Sequence, residues 1–307
     1  MNKDLPNPIN VIIYSYKNKN LKNVVANLIE RSSKKNKIFV KIFDQSPLTK
    51  WDQFGFYNEN ALEKWEYFEN FQDVNYSHIV WDKIKSPCKY KNDILSQSQY
   101  SYTLLLSDNI YLSQDWDEYL LKNLKDKQSI ISGKNKITLS NDGLFYLKKE
   151  EETTDSLNQT YFVSRDLIFG HTSTLQQIGY PWYMKYYGEE ETLSLLYYSN
   201  HIKVYSCPDS FYNKDEVDTL EYLYTTFSKY HNYNEMIDLF KKQKNKYEDI
   251  GKPLMGDAAS FFGKHKINID ELNYIPFPLN DVEYDPDASL FTDIDSKKFM
   301  TKINYID

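Results

Sequence analysis

Hydrophobic positions in the first part of the chain alternate between short apolar runs and a helical spacing. Residues 11–14 form a β-branched run shortly after Pro8, which predicts a strand. From Leu21 to Ile29 apolar residues recur at the spacing of an amphipathic helix, and a second strand is expected over 38–43. Because a crossover helix joins the two strands, we expect a parallel, right-handed β-α-β unit.

The alternation of strands and helices continues to about residue 206 and predicts an α/β domain over residues 1–214. Further strands are expected at 78–81, 102–106, 129–132, 143–147, 161–163 and 203–206. Further helices are expected at 89–98, from residue 114 or 115, and at 190–198, whereas 48–76 is expected to be irregular and partly helical. Residues 215–307 are rich in Asp, Asn and Pro, so we expect a partly helical C-terminal extension packed on the domain.

Composition and charge narrow the class of protein. The 307 residues are 41% hydrophobic and 16% aromatic, which indicates a folded chain. No apolar run approaches the roughly 18 residues of a bilayer span, and the chain does not open with a secretion signal, so we expect a soluble, cytoplasmic protein that does not enter membranes. The two cysteines fit a reducing compartment. The net charge of −7 disfavours nucleic acid as a bulk electrostatic partner.

Several enzyme classes lack their sequence signals. The nine glycines form no G-x-G and no phosphate-binding P-loop, and neither a G-x-S-x-G elbow nor an H-E-x-x-H zinc motif occurs. Basic charge comes almost entirely from lysine, since Arg31 and Arg165 are the only arginines. Together with abundant Asn, Ile and Tyr, this usage indicates an AT-rich microbial or viral genome.

Two acidic segments are candidates for chemistry. Ser107, Asp108 and Asn109 follow a buried strand, where oxygen ligands suit Mg²⁺, Mn²⁺ or a sugar hydroxyl beside a diphosphate, although for this segment alone an Asx turn is the better explanation. Glu189 and Glu190 begin a helix, where the helix dipole favours acids, but the aromatic residues and the glycine before them also suit a sugar pocket. Either glutamate could then orient or deprotonate an acceptor hydroxyl.

The order of these segments resembles the GT-A glycosyltransferases, in particular the cytoplasmic enzymes that transfer N-acetylglucosamine from UDP to protein hydroxyls (hydroxyproline, Ser or Thr). The family's D-S-H metal motif and following W-D pair resemble 107–109 and Trp116-Asp117, and its F-F-G-E-E helix start resembles 186–190. Its G-P-x-x-A-R helix start resembles 86–91, with Lys91 in place of Arg. Its F-x-x-x-x-x-F stretch and the Y-D-P-like turn that follows resemble 162–169 and 179–181, and both precede 186–190 as they do in the family.

The resemblance implies a set of site residues. The nucleotide of the donor is expected at the ends of the first two strands, 11–14 and 38–43. The diphosphate or the sugar is expected at the end of the strand over 102–106, near basic residues. The implied donor-binding residues are Ser15, Tyr16, Asp44, Gln45, Lys91, Ser107, Asp108, Asn109, Arg165 and Lys214, and the implied catalytic residues are Glu189, Glu190 and Asp166.

The metal-binding residues of the family are not preserved. They fall on Ser107, Asn109 and Asn213, so either Asp108, with Asn213, holds a divalent cation such as Mn²⁺ or Mg²⁺ in a shifted register, or a basic residue replaces the metal, or the site is inactive. The candidate basic residues are Lys214, Lys91 and Arg165.

The resemblance implies transfer of a sugar, such as GlcNAc or glucose, from a UDP-sugar to a hydroxyl acceptor on protein or glycan, with retention of configuration. Two alternatives stay open. One is a non-catalytic protein that binds sugars or nucleotide sugars on the same fold, favoured by the missing metal ligands. The other is a viral enzyme that glycosylates hydroxymethylated DNA bases, disfavoured by the negative charge.

Overall fold

The computed structural model describes residues 7–15, 18–44, 51–52, 55–56, 61–78, 87–134, 136–139, 145–148, 156–181 and 189–214. The strands are β1 Pro8–Ser15, β2 Lys37–Asp44, β3 Trp51–Asp52, β4 Gly55–Phe56, β5 Val74–His78, β6 Tyr102–Ser107, β7 Ile110–Leu112, β8 Ser129–Ser132, β9 Lys136–Leu139, β10 Phe145–Lys148, β11 Asn158–Thr160, β12 Leu167–His171, β13 Lys203–Ser206 and β14 Tyr212–Lys214. The helices are α1 Leu21–Glu30, α2 Ala61–Phe68, α3 Pro87–Ser96, α4 Trp116–Asn123, α5 Thr172–Ile178 and α6 Glu189–Ser199. The expected extension over 215–307 lies outside these residues.

A mixed eight-stranded sheet forms the centre of the fold. Its strand order is β11-β13-β8-β12-β6-β1-β2-β5, and the four strands β6, β1, β2 and β5 run parallel. The predicted β-α-β unit is confirmed, because β1 and β2 are parallel and α1 lies between them in the chain. Strand β12 is antiparallel to both of its neighbours, β6 and β8.

Helices cover both faces of this sheet, which explains why its central strands are apolar at successive positions. On β1, Val11 and Ile13 belong to a buried cluster that includes residues of α1 and α4, whereas Ile12 belongs to a second cluster with residues of α3, α5 and α6. The two clusters fix the orientation of the sheet relative to its helices.

The sheet topology brings several chain segments to one edge. The parallel pairing places Ser15 beside Asp44, and Tyr14 beside Ser107, so β1, β2 and β6 all end there. Because β12 runs in the opposite direction, its first residue Leu167 pairs with Leu106, and the turn before it reaches the same edge. We refer to this edge as the carboxyl edge.

Two of the predicted strands differ from the structure. The strand expected at 78–81 is β5, which begins at Val74 and ends at His78, and residues 79–81 lie outside the described part. The strand expected at 161–163 is wrong, since the edge strand β11 ends at Thr160. The Tyr161 ring packs edge-on against Tyr198, 6.0 Å between centroids, and the Val163 amide donates to the hydroxyl of Ser194 on α6. This segment therefore packs onto α6 instead of extending the strand.

Within the described residues, no helix is both long and apolar enough to cross a bilayer.

Candidate active site

The end of β2 carries a buried ion pair. Asp44 accepts hydrogen bonds from the ammonium of Lys64, at 3.1 Å, and from the hydroxyl of Tyr76, at 2.7 Å, and both Asp44 and Lys64 are fully buried. Burial, together with the charge of Asp44, raises the pKa of Tyr76, so the hydroxyl stays protonated and continues to donate. The Asp44 carboxylate thus ties β2 to α2 and β5. The expected direct contact of this carboxylate with the donor does not fit its enclosure.

Asp108 lies in the turn between β6 and β7, close to the ends of β1 and β2. Its backbone carbonyl accepts from the Asn18 amide at 2.6 Å, and Asn109 completes the turn. Burial raises the pKa of the Asp108 carboxyl, although the Ser15 hydroxyl and the Lys64 charge oppose that rise. The Ser15 hydroxyl is itself buried and makes no hydrogen bond of ordinary geometry to the residues that the structure describes. These groups form a polar wall where β1 and β6 end.

A second ion pair lies beside the end of β6. The Lys214 ammonium contacts both carboxylate oxygens of Asp166, at 2.8 and 3.0 Å. The Ser107 amide donates to the backbone carbonyl of Asp166 at 3.0 Å, and the Ser107 hydroxyl to that of Arg165 at 3.4 Å. Strand β14 reaches this position by pairing with β7, with Lys214 opposite Ile110. Asp166, Ser107 and Lys214 are therefore brought together at the carboxyl edge.

Glu189 is held at the start of α6 by two partners. Its carboxylate accepts from the Lys91 ammonium of α3 at 2.9 Å and from the Tyr180 hydroxyl, and the ammonium also contacts that hydroxyl at 3.0 Å. Burial, and then the Glu189 charge, raise the pKa of the adjacent Cys88 thiol. Because Glu189 is buried and multiply bonded, its contacts fit a residue that joins α3 to α6.

Glu190 turns toward the segment before β12. Its Oε1 accepts from the Ser164 hydroxyl at 3.2 Å and from the backbone amide of Arg165 at 2.9 Å. Glu190 is partly buried, whereas the Arg165 side chain is exposed. Glu190 thus orders the turn that carries Arg165 and Asp166.

Several of the predicted site residues share neighbours at the carboxyl edge. Ser107 links the Asp108 turn to Arg165, and Arg165 links to Glu190, so the two acidic segments share neighbours. The rings of Tyr14 and Tyr90, 6.1 Å apart, place α3 against the end of β1. Tyr16 and Gln45 lie outside the described residues.

The residues at this edge do not fit a divalent cation. No group of three or more His, Cys, Asp or Glu side chains suited to a metal occurs in the part of the chain that the structure describes. Both Asp166 oxygens already contact an ammonium, which a hard cation would have to displace in order to bind there. Asn213 lies exposed on β14 and would offer only an amide. The metal assigned to Asp108 and Asn213 therefore lacks a suitable donor set.

Trp116 and Asp117 connect α4 to the end of α1 and the segment after it. The Trp116 indole donates to the carbonyl of Leu28 at 2.9 Å, and Asp117 accepts from the amide and hydroxyl of Ser33 and from the side chain of Asn36. This pair therefore fixes α4 against the end of α1.

Sequence reasoning missed the residues that complete these networks. Lys64, Tyr76 and Tyr180 were not among the predicted site residues, and neither was Asn18. Lys64 and Tyr76 lie in the stretch without a clear period, so no local signal marked them. Tyr180 follows Gly179, whose positive φ of 71° ends α5. The resemblance includes 179–181, but it did not mark Tyr180 as a partner of Glu189.

The fold is similar to that of S. aureus TarS. The likeness covers 80% of this chain and 41% of the TarS chain, with a TM-score of 0.53 and 15% identity. For TarS 1-349 in complex with UDP-GlcNAc the TM-score is 0.54 at 14% identity, and in complex with UDP it is 0.52 at 14%; each covers 80% of this chain and 68% of the other. No family model and no curated protein matches the sequence.

The comparison confirms the expected fold class, an α/β fold of the GT-A type with a large central sheet. The chain spans about 41% of the length of the TarS chain. At this identity the likeness concerns the fold alone, so the narrower resemblance to polypeptide N-acetylglucosaminyltransferases stays a prediction.

Proposed function

We propose that this protein is a glycosyltransferase that moves a sugar from a UDP-sugar donor to a hydroxyl acceptor. The observation that carries the proposal is the likeness, over 80% of the chain, to TarS structures that hold UDP-GlcNAc and UDP. The carboxyl edge supports it, because ligands of open α/β sheets bind beyond the carboxyl ends of the strands.

The two ends of the edge suit different parts of the donor. Ser15, Asp108 and Asn109 lie where β1 and β6 end and would meet the diphosphate or the sugar. Tyr16 and Gln45 stay predictions for the nucleotide end. Asp44 would act indirectly, since its ion pair fixes β2 beside this wall.

The acids before and within α6 differ in what they can do. Glu189 is enclosed by Lys91 and Tyr180 and would act as a positioning residue. Glu190 is more accessible, so we assign it the acceptor side, where it would orient a hydroxyl or accept its proton. Asp166 would lie near the departing diphosphate, and electrostatic stabilisation of that group would be the largest catalytic contribution. Retention of configuration, with a protein or glycan acceptor, is our expectation for the product.

A non-catalytic nucleotide-sugar-binding protein is the second candidate. Glu189 and Asp166 are both paired with lysines, and Glu190 accepts two hydrogen bonds from its own chain. Acids that already make these contacts could stabilise a binding site and take no part in catalysis.

A two-stage experiment separates these functions. A panel of UDP-sugars is first screened by thermal shift, since a donor that binds the native state raises the melting temperature. UDP release is then measured with peptide, glycan and hydroxymethylated DNA acceptors, and NMR of the product anomer reports the stereochemistry.

Glu190→Gln is the informative variant, and Glu118→Gln is its matched control, because Glu118 pairs with Lys35 on the surface. We expect Glu190→Gln to reduce turnover about 100-fold or more without loss of donor binding, and the control to leave it unchanged. Donor binding without transfer or hydrolysis would select the second candidate. No binding of any UDP-sugar would reject both.

A further inference from the structure

A diphosphate needs positive charge near it, and the described part of the carboxyl edge includes four lysines in ion pairs. Lys134, which follows β8, is only 2% exposed in its pair with Asp209. Lys64 is fully enclosed with Asp44, and Lys91 is 13% exposed in its pair with Glu189. Lys214 is 33% exposed in its pair with Asp166. Among these lysines, Lys214 is therefore the one whose ammonium a ligand phosphate approaching from solvent can reach with the least rearrangement.

The position of Lys214 matches the place where the resemblance puts a metal. Strand β14 pairs with β7, so Lys214 lies opposite Ile110, just after the Asp108 turn. Its partner Asp166 accepts a backbone hydrogen bond from Ser107, the last residue of β6. Lys214 is thus the neighbour of Asn213, and Asp166 is hydrogen-bonded to Ser107, and both Asn213 and Ser107 are positions on which the family's metal ligands fall.

The hydrogen-bonding capacity of the ammonium also fits this role. An ammonium has three N–H donors, and Asp166 accepts at its two carboxylate oxygens. These contacts hold the ammonium in place at little further cost in side-chain entropy, and a phosphate oxygen can take the remaining donor or replace one carboxylate oxygen. Asp166 therefore acts as a positioning residue for the cation.

We propose that the Lys214 ammonium, positioned by Asp166, binds the donor diphosphate in place of a divalent cation, so that donor binding needs no metal. This inference rests on the proposed function, because it assigns a residue to the donor site of that function. It also agrees with the poor fit of a divalent cation to the carboxyl edge, where the Asp166 carboxylate is already paired with an ammonium.

The test is isothermal titration of the full chain with UDP and with uridine, once in EDTA and once with Mn²⁺. For the wild type we expect UDP affinities that agree within about threefold in the two conditions. Lys214→Met should weaken UDP binding about 10- to 100-fold, the usual range for a lost charged hydrogen bond, and leave uridine binding unchanged. Lys214→Arg should recover most of the UDP affinity.

Lys203→Met is the matched control, because it makes the same substitution in an exposed pair with Asp126, outside the networks of the carboxyl edge. It should bind UDP as the wild type does. Circular dichroism melting shows whether each variant folds. The comparison of wild-type UDP binding in EDTA and in Mn²⁺ decides whether donor binding needs a metal, even if Lys214→Met does not fold.

Two results would overturn the inference alone: UDP binding that requires Mn²⁺, or a folded Lys214→Met variant with wild-type affinity for UDP. A wild-type protein that binds neither UDP nor any UDP-sugar in either condition would instead refute the proposed function, and this inference with it.

Discussion

Removing one partner of the ion pair between Lys64 and Asp44 should strongly destabilise the carboxyl edge. Both side chains are fully buried, and 3.1 Å separates the ammonium nitrogen from the carboxylate oxygen. At that distance two unit charges attract by about 5 kcal/mol for an effective dielectric constant of ~20. Removing one partner typically costs about 3–5 kcal/mol, because the other charge stays buried without it.

We therefore expect Lys64→Met to lower the free energy of unfolding by about 3–5 kcal/mol, measured by urea denaturation followed by circular dichroism. Lys203→Met is the matched control. Its ammonium lies 3.6 Å from Asp126, and the two side chains are 52% and 46% exposed, so the loss should stay below about 1 kcal/mol. The two variants make the same chemical change, so their difference isolates the effect of burial.

The double variant Lys64→Met with Asp44→Leu completes the test. With both charges removed, most of the lost stability should return, and the coupling energy between the two sites should exceed about 2 kcal/mol. The reasoning would be refuted by a Lys64→Met variant as stable as Lys203→Met, or by additive effects of the two substitutions.

Three further predictions test other parts of the structure. Gly133→Ala should cost about 1–3 kcal/mol in urea denaturation, since its new methyl group would lie 2.9 Å from the Cβ of Ser164. Because the pKa of Asp108 is raised, folding favours its protonated form, and its contribution to stability is greatest below the ordinary pKa of 3.8 and is lost as pH rises through the raised value. Asp108→Asn should therefore be more stable than the wild type by an amount that grows as pH rises through the raised pKa. A variant whose stability equals that of the wild type at every pH would contradict this. Cys88 and Cys207 are buried with raised pKa values, so a thiol reagent at about pH 8 should modify them at least tenfold faster in urea than in the native state, and equal rates would contradict their burial.

The fold could be predicted where the local pattern and the tertiary structure agree. The strand-helix-strand start has this property: the helical face of α1 and the apolar runs of β1 and β2 are the surfaces that the core buries. Strand β12 was missed, because a short apolar segment directly before a short helix has no clear period. The strand expected at 161–163 failed for a tertiary reason, since Tyr161 and Val163 pack and bond to α6 instead of pairing with a strand.

The acids of the candidate site are easier to propose from the sequence than their pairing with lysines. Acids at strand ends and helix starts leave a local signal, which is why Asp44 and Glu189 could be proposed from the sequence, whereas Asp166 came only from the resemblance. Which lysine pairs with each acid depends on the topology. The partner of Glu189 is 98 residues away in the chain, and the partner of Asp166 is 48 residues away.

These pairings explain how so many acids can gather at one edge. Two carboxylates buried side by side would repel each other, and each would lose its hydration, so such an edge folds only if cations come with the acids. Lys64, Lys91 and Lys214 each pair with one acid. Asp108 differs, because burial outweighs the opposing influence of Ser15 and Lys64 on its pKa. Folding disfavours the charged form of this carboxyl group, and such unfavourable placements are common at functional sites. Asp108 is therefore the first of these acids to test for contact with a ligand.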